Sequence, residues 1–284
     1  MALQQPTLKR KVARWQECRS TFVEDELVVE EPIEIRVGDQ SLIVVMRTPG
    51  QDFELAAGFL YTEGIINSVH DIGTIAYCED VEQADLQNII NVNLTNGWDA
   101  DSEDGWQRNF HANASCGLCG KMTIESVRQA VPPIESQLRI SPEIVYMLND
   151  LLRSAQSVFE ATGGLHAAGL FTAGGDLLIT REDIGRHNAV DKVIGQALLA
   201  DMFPLDNHVL MVSGRASFEI VQKALFARIP VVVAVSAGST LAVDLAQESG
   251  MALIGFTRGN RMTVYTCPER IQQSETKNGN NLVA

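Results

Sequence analysis

The sequence predicts an α/β protein in two parts: a smaller N-terminal α+β region and a layered α/β domain in the C-terminal half. Three observations lead there. The runs HVLMVS, VVVAVS and MALIGF are short, apolar and rich in β-branched residues, the signature of buried strands. Between them lie stretches with helical periodicity at 217–228 and 239–248, and strands alternating with helices of that length imply parallel βαβ units. The N-terminal half lacks this alternation and shows β-branched segments around one clear helix.

Taken in order, residues 1–22 read as a polar, partly basic flexible tail. An N-terminal α+β region is expected over 23–132. It opens with the acidic, β-branched VEDELVVEEPIEIRVGD and SLIVVMRT, and the turn at Gly38-Asp39 predicts a hairpin. A helix follows in TPGQDFELAAGFLYTEG: Thr48 caps it, Pro49 takes the first position, Gln51 completes a capping box and Gly64 ends it. Phe53, Ala56, Ala57 and Leu60 share its apolar face. Residues 96–109 form an acidic loop with two tryptophans, and a helix is expected from Met122 until Pro132-Pro133 stops it. The C-terminal domain spans 134–270. It begins with a long helix from Ser141-Pro142 to about Ala161, followed by LHAAGLFT and LLIT as a hairpin through AGGD. Residues 271–284 read as a disordered tail.

Each of the three parallel strands empties into a loop of small, polar or basic residues: SGRAS, SAGST and TRGNR. Ligands of open α/β sheets bind beyond the carboxyl ends of strands, where helix N-termini offer free N–H groups to phosphate. Arg215, Arg258 and Arg261 on these loops therefore predict an anion or nucleotide-phosphate site, although no P-loop or dinucleotide fingerprint is present. Ordinary turn and cap chemistry is the competing account of any one loop.

Composition narrows the function classes. Among 284 residues, 22 Lys+Arg stand against 36 Asp+Glu, a net charge of −14. That balance argues against electrostatic binding to nucleic acid or to anionic membranes. The longest apolar run, 229–237, is strand-sized rather than membrane-spanning, and the basic first residues lack the apolar stretch of a secretion signal. A cytoplasmic protein is expected.

Five cysteines (Cys18, Cys78, Cys116, Cys119 and Cys267) do not suggest a disulfide framework. Cys116 and Cys119 form a CxxC pair in SCGLCGK, just before the expected helix, where the helix dipole and Lys121 would favour thiolate; Gly117 and Gly120 loosen the loop. Four chemistries compete. A zinc site lacks a second CxxC, although His111 is near; a nucleobase deaminase needs H-x-E, and no histidine has Glu two places on; a thioredoxin-type pair belongs after an early βα strand. Persulfide carriage is the fourth. No metal site is expected. Elsewhere, REDIGRHNAVDK at 181–192 is either a solvated helix face or a functional cluster in which Arg186 and His187 clamp phosphate or tune a thiol. His166, in an apolar setting, reads as a satisfied core histidine.

Together, SCGLCGK, TGGLHAAG, REDIGRHNAVDK, SGRASFE, VSAGSTLAVDLA and GFTRGNRMTVYT, with DFELAAGFLYTEGII before them, resemble the FdhD family of formate dehydrogenase accessory sulfurtransferases over roughly 30–270. The resemblance implies a cytidine-deaminase-like C-terminal domain without the deaminase zinc motif. It implies a sulfur carrier that takes persulfide sulfur from a cysteine desulfurase and delivers it to the molybdenum (or tungsten) bis(guanine dinucleotide) cofactor of formate dehydrogenase, with guanine nucleotide as a mimic of that acceptor. Cys116 matches the persulfide cysteine and Cys119 its companion. Phe256, Thr257, Arg258, Gly259, Asn260 and Arg261 match the cofactor loop. Arg215, Ser236, Gly238 and Ser239 on the neighbouring loops are expected to help hold the phosphates. A homodimer is implied. The alternative is a non-catalytic chaperone that escorts the cofactor. Cys18, Cys78 and Cys267 match no motif of the family.

Overall fold

A computed structural model describes residues 5–79, 87–97 and 131–272. The expected tail is instead largely strand. β1 (Thr7–Gln16) and β2 (Arg19–Val28) form an antiparallel ribbon. Lys9, Arg10 and Lys11 stand directly across from Glu26, Asp25 and Glu24, so the basic segment and the acidic one after it neutralise each other. The reversal at Glu17 and Cys18 has φ of 48° and 62°, the two positive values of a tight hairpin turn. Glu-Cys is not a turn signal of the Asn-Gly kind, which is why the ribbon was illegible locally.

β3 (Glu31–Val37) and β4 (Gln40–Arg47) form the predicted hairpin. With β5 (Ile72–Tyr77) and β6 (Ile89–Leu94) they make a four-stranded sheet, order β4-β3-β6-β5, in which β3 and β6 run parallel. Helix α1 (Asp52–Thr62) is the expected one, with Gly64 past its end at φ 69° and Ile65 N–H bonded back to Leu60 O. Its start differs. Gln51 occupies the cap in a left-handed conformation and makes no side-chain cap, while the Thr48 hydroxyl accepts from Ile184 N–H instead. Leu55, Ala56, Ala57 and Leu60 are buried, and Phe53 is partly exposed against Tyr77.

The C-terminal half carries a six-stranded sheet, order β12-β11-β10-β9-β7-β8. β7 (His166–Thr172) and β8 (Leu177–Asp183) are the predicted hairpin. β9 (His208–Val212), β10 (Val231–Ala234) and β11 (Ala252–Arg258) are parallel, and β12 (Arg261–Val264) returns antiparallel. Alternate side chains feed two cores. Leu210 and Val232 pack beneath α4 (Arg186–Leu199), α5 (Phe218–Phe226) and α6 (Thr240–Glu248), whereas Val209, Met211 and Val233 pack with Leu148 and Leu152 of α2 (Pro142–Ser154). The result is the layered domain expected.

The single long helix over 141–161 is two. α2 begins as predicted, with Ser141 Oγ accepting from Ile144 N–H, but it ends at Ser154, and a short α3 (Ser157–Thr162) follows. The break is tertiary in origin. Glu182, from β8, accepts hydrogen bonds from Val158 N–H (3.0 Å) and Phe159 N–H (2.7 Å), capping a helix start that the local sequence does not announce.

The two halves meet where α1 crosses α4. A Cβ on Gly58 would lie 1.9 Å from Asp191 O, and one on Gly195 would lie 1.9 Å from Glu54 O, so the backbones touch only because both residues are glycine. REDIGRHNAVDK lies along this seam. Asp183, Asn188, Asp191 and Lys192 are buried, not solvated. Lys192 Nζ is 2.7 Å from Asp183 and donates to Thr48 O at 3.0 Å; Asn188 donates to Met46 O; Asp191 accepts from Thr62 Oγ1 and Lys223 Nζ at 2.8 and 2.9 Å. Among the described residues, no helix is long and apolar enough to cross a membrane.

Candidate functional site

The three loops at the carboxyl edge of the large sheet are stitched into one surface. Ala216 N–H bonds to Ala237 O, Ser239 N–H to Ala216 O, and Phe256 N–H to Ser236 O, each at 3.1 Å. TRGNR is a hairpin turn in which Arg258 pairs with Arg261, and Gly259 supplies a φ of 54°. A register shift between Gly255 and Arg258 forms a bulge, and Phe256, at φ 53°, is turned outward and 53% exposed.

These elements bound a cleft of about 770 Å³ lined by Ser236, Phe256, Arg258, Asn260 and Arg261 from the predicted set, and by Tyr146, Val235, Met262 and Thr263, which were not predicted. Two exposed arginines at the mouth of a cleft in an acidic chain have the chemistry to seat phosphate: each guanidinium offers charged N–H donors in a planar fork. Other predicted residues do different work. The Thr257 side chain is buried and donates to Ala234 O at 3.0 Å, so it braces the strand and does not face the cleft. Ser239 caps α6, accepting from Ala242 N–H; Gly238 packs on the Tyr265 ring; exposed Arg215 stands on the adjoining loop, outside the lining.

Val235 is also a wall of a second cavity, about 420 Å³, lined by Asn149, Arg153, Gln156, Phe159, residues 163–166 and Ser213. His166 belongs to it, half-buried, with no hydrogen bond to its ring among the described residues; it is not the satisfied core histidine that its neighbours suggested. Burial, reinforced by Arg186, holds His166 below the usual histidine range. His187 is lowered to about 4, by burial first and then by Lys223 and Arg186; its Nε2 lies 3.4 Å from Ser217 Oγ and 3.7 Å from Glu219. Both imidazoles are therefore neutral at pH 7. The break between α2 and α3 places Gln156 at this cavity, which Asn149 of α2 also lines, and sequence periodicity carries no sign of that break.

Cys116 and Cys119, His111, Lys121, the expected helix after Met122 and most of the acidic tryptophan loop lie outside the described residues. Of the other cysteines, Cys18 is exposed at the ribbon turn, Cys78 is half-buried and Cys267 is buried. Burial and then Glu269 push the Cys267 thiol up, away from reactive thiolate. Among the described residues, no three His, Cys, Asp or Glu side chains converge as a metal site would require.

The model of the FdhD/NarQ family matches residues 28–272. The chain belongs to this family. The sulfur carrier protein FdhD of Streptomyces avermitilis is 47% identical over 274 residues, covering 93% of this chain and 95% of the relative. That of Mycolicibacterium paratuberculosis is 48% identical over 271 residues (94% and 99%), and that of the archaeon Sulfolobus acidocaldarius 43% identical over 263 (93% and 98%). Among solved structures, a protein of Desulfotalea psychrophila, provisionally described as a formate dehydrogenase accessory protein, superposes with a TM-score of 0.75 at 24% identity. It covers 94% of this chain and 100% of its own length, so the FdhD/NarQ chain here shares its fold.

Proposed function

We propose that this chain is a sulfur carrier that accepts sulfur as a persulfide on Cys116 from a cysteine desulfurase and transfers it to the molybdenum bis(guanine dinucleotide) cofactor needed by formate dehydrogenase. The observation that carries the reading is the presence, in one chain of this family, of the SCGLCGK pair and an arginine-bearing cleft at the carboxyl edge of a parallel sheet. The name sulfur carrier protein, borne by relatives from bacteria and an archaeon, supports it.

In the loading step the Cys116 thiolate attacks the outer sulfur of the donor's persulfide. The donor S–S bond breaks, the donor cysteine leaves as thiolate, and a new S–S bond forms on Cys116. The transferred sulfur keeps its oxidation state, so the step needs no oxidant. Cys119 is the companion thiol. Arg258 and Arg261, with Asn260 and Ser236, hold the acceptor by its phosphates, and Phe256 lies against it from the rim. The protein works in the cytoplasm as a homodimer, with the desulfurase as sulfur donor and formate dehydrogenase as target.

The test is intact-mass spectrometry after incubation with a cysteine desulfurase and cysteine. One added sulfur on the wild type, released by reductant and absent from Cys116→Ala, is the expected result. No added sulfur on either protein would overturn persulfide carriage and leave the non-catalytic cofactor chaperone, whose working part would be the loops.

A further inference from the structure

The ribbon of β1 and β2 stands off the body of the molecule. None of its strand residues is buried, and Trp15 and Phe22, near its tip, are 70% and 72% exposed. It is anchored at its base, where a Cβ on Gly164 would lie 2.7 Å from Val28 Cγ2. A two-stranded ribbon of this length, about 34 Å, is marginal in water unless something packs on it. It also precedes almost all of the chain that the family model matches, which begins at residue 28. The pairing register points to an occupant. Residues directly across from each other share a face, so Trp15 with Ser20, Ala13 with Phe22, Lys11 with Glu24 and Lys9 with Glu26 lie on one side. On this face each ring stands beside a small residue and each cation beside an anion, and Lys11 Nζ is 5.1 Å over the Phe22 ring.

Such a face is complementary to itself. Turned over about an axis along the ribbon, a second copy lays its β2 on this β1. Trp15 then meets Ser20 of the second copy, Phe22 meets Ala13, and Lys9 and Lys11 meet Glu26 and Glu24. An axis across the ribbon, or edge-to-edge pairing about a two-fold, would set basic strand against basic strand. The opposite face sets Leu8 against Leu27 and Val12 against Val23, with no such alternation of large and small. Four rings, two from each copy, would bury roughly 500 Å². That is close to half of the smallest specific interfaces, of about 1,200 Å², before the charged half of the face is counted. We propose that the ribbon is a dimerisation arm, which stacks face to face on the same ribbon of a second copy of this chain about a two-fold along its length. The arm presupposes the homodimer proposed above and gives it an interface.

Sedimentation equilibrium on the full chain separates the two. Trp15→Ser combined with Phe22→Ser should raise the dimer dissociation constant about a hundredfold, because central aromatic anchors carry most of an interface's affinity. Lys11→Glu and Glu24→Lys should each weaken self-association about tenfold. An equimolar mixture of those two variants should dimerise as well as the wild type, a rescue that no fault in the folding of either chain could produce. A bismaleimide reaching about 10 Å, the spacing of stacked sheets, should join Cys18 to Cys18 at the exposed turns and give no such product in Cys18→Ser. A wild-type dimer that the aromatic variant leaves intact, that Cys18 does not cross-link, or that the charge mixture does not restore overturns the stacked ribbon and leaves the homodimer standing. A wild type that stays monomeric overturns both.

Discussion

The seam between α1 and α4 and the carboxyl edge of the large sheet are built from similar residues with opposite results. At the seam, Asp183, Asp191, Lys192 and Lys223 are buried and matched: Lys192 with Asp183 at 2.7 Å, Lys223 with Asp191 at 2.9 Å. At the edge, Arg258 and Arg261 are exposed, and in the cavity beside it the side chain of Gln156, though the residue is buried, makes no hydrogen bond among the described residues. Charged and amide side chains matched to one another inside the molecule hold its halves together, whereas those left unmatched around a cavity are available to a ligand. REDIGRHNAVDK and TRGNR look alike as charge-dense segments, and only partners tell them apart.

The sharpest way to break this contrast is at the seam. Gly195→Ala would place a methyl group inside Glu54 O, so α1 and α4 must part; a loss of roughly 4 kcal/mol or more, or failure to fold, is expected from overpacking of backbone on backbone. Thermal melting of the purified variant reads it, and a melting temperature like the wild type's would mean the helices can slide apart freely. Lys192→Met should cost about 3 kcal/mol in urea unfolding, because Asp183 would lose its buried counter-charge while keeping its bonds to Thr48 N–H and Gly185 N–H.

A smaller effect comes from His187, between the two regions. Its folded pKa of about 4 is depressed below the usual 6.5, so the unfolded chain takes up a proton that the folded chain refuses. Stability attributable to this neutral imidazole is present above pH 6.5 and is lost as pH falls toward 4, by roughly 1 to 3 kcal/mol. His187→Gln should flatten the stability profile across that window; an unchanged slope would show that other groups set it. Least of all should stability feel Arg261→Ala, a change within about 0.5 kcal/mol at an exposed position, with pyrophosphate affinity down about tenfold. A marked loss of stability there would show that the rim arginine is structural and would erase the contrast.

Much of the architecture was legible because it depends on short-range pattern. The Gly38-Asp39 hairpin, α1 and its Gly64 stop, and the three parallel strands with their helices all follow from period, cap and turn. The parallel order brought the SGRAS, SAGST and TRGNR loops to one edge, since every parallel strand ends on the same side. What could not be read locally was pairing between distant segments. The ribbon of β1 and β2 depends on basic and acidic runs folding onto each other, and Thr48 was drawn from its expected cap by Ile184, 136 residues away.

The sequence alone therefore determined the layered α/β class, the arginine-bearing loops and the cysteine pair, because strand order and loop chemistry are written in consecutive residues. Tertiary structure decided which polar residues are used up and which stay open. It closed the charges of REDIGRHNAVDK against α1 and α5, turned the Thr257 side chain inward, and had Glu182 cap α3 so that Gln156 is left facing a cavity. A hydrogen bond is a fact about two groups in space, and the partner's identity is not carried by either residue's own neighbours along the chain.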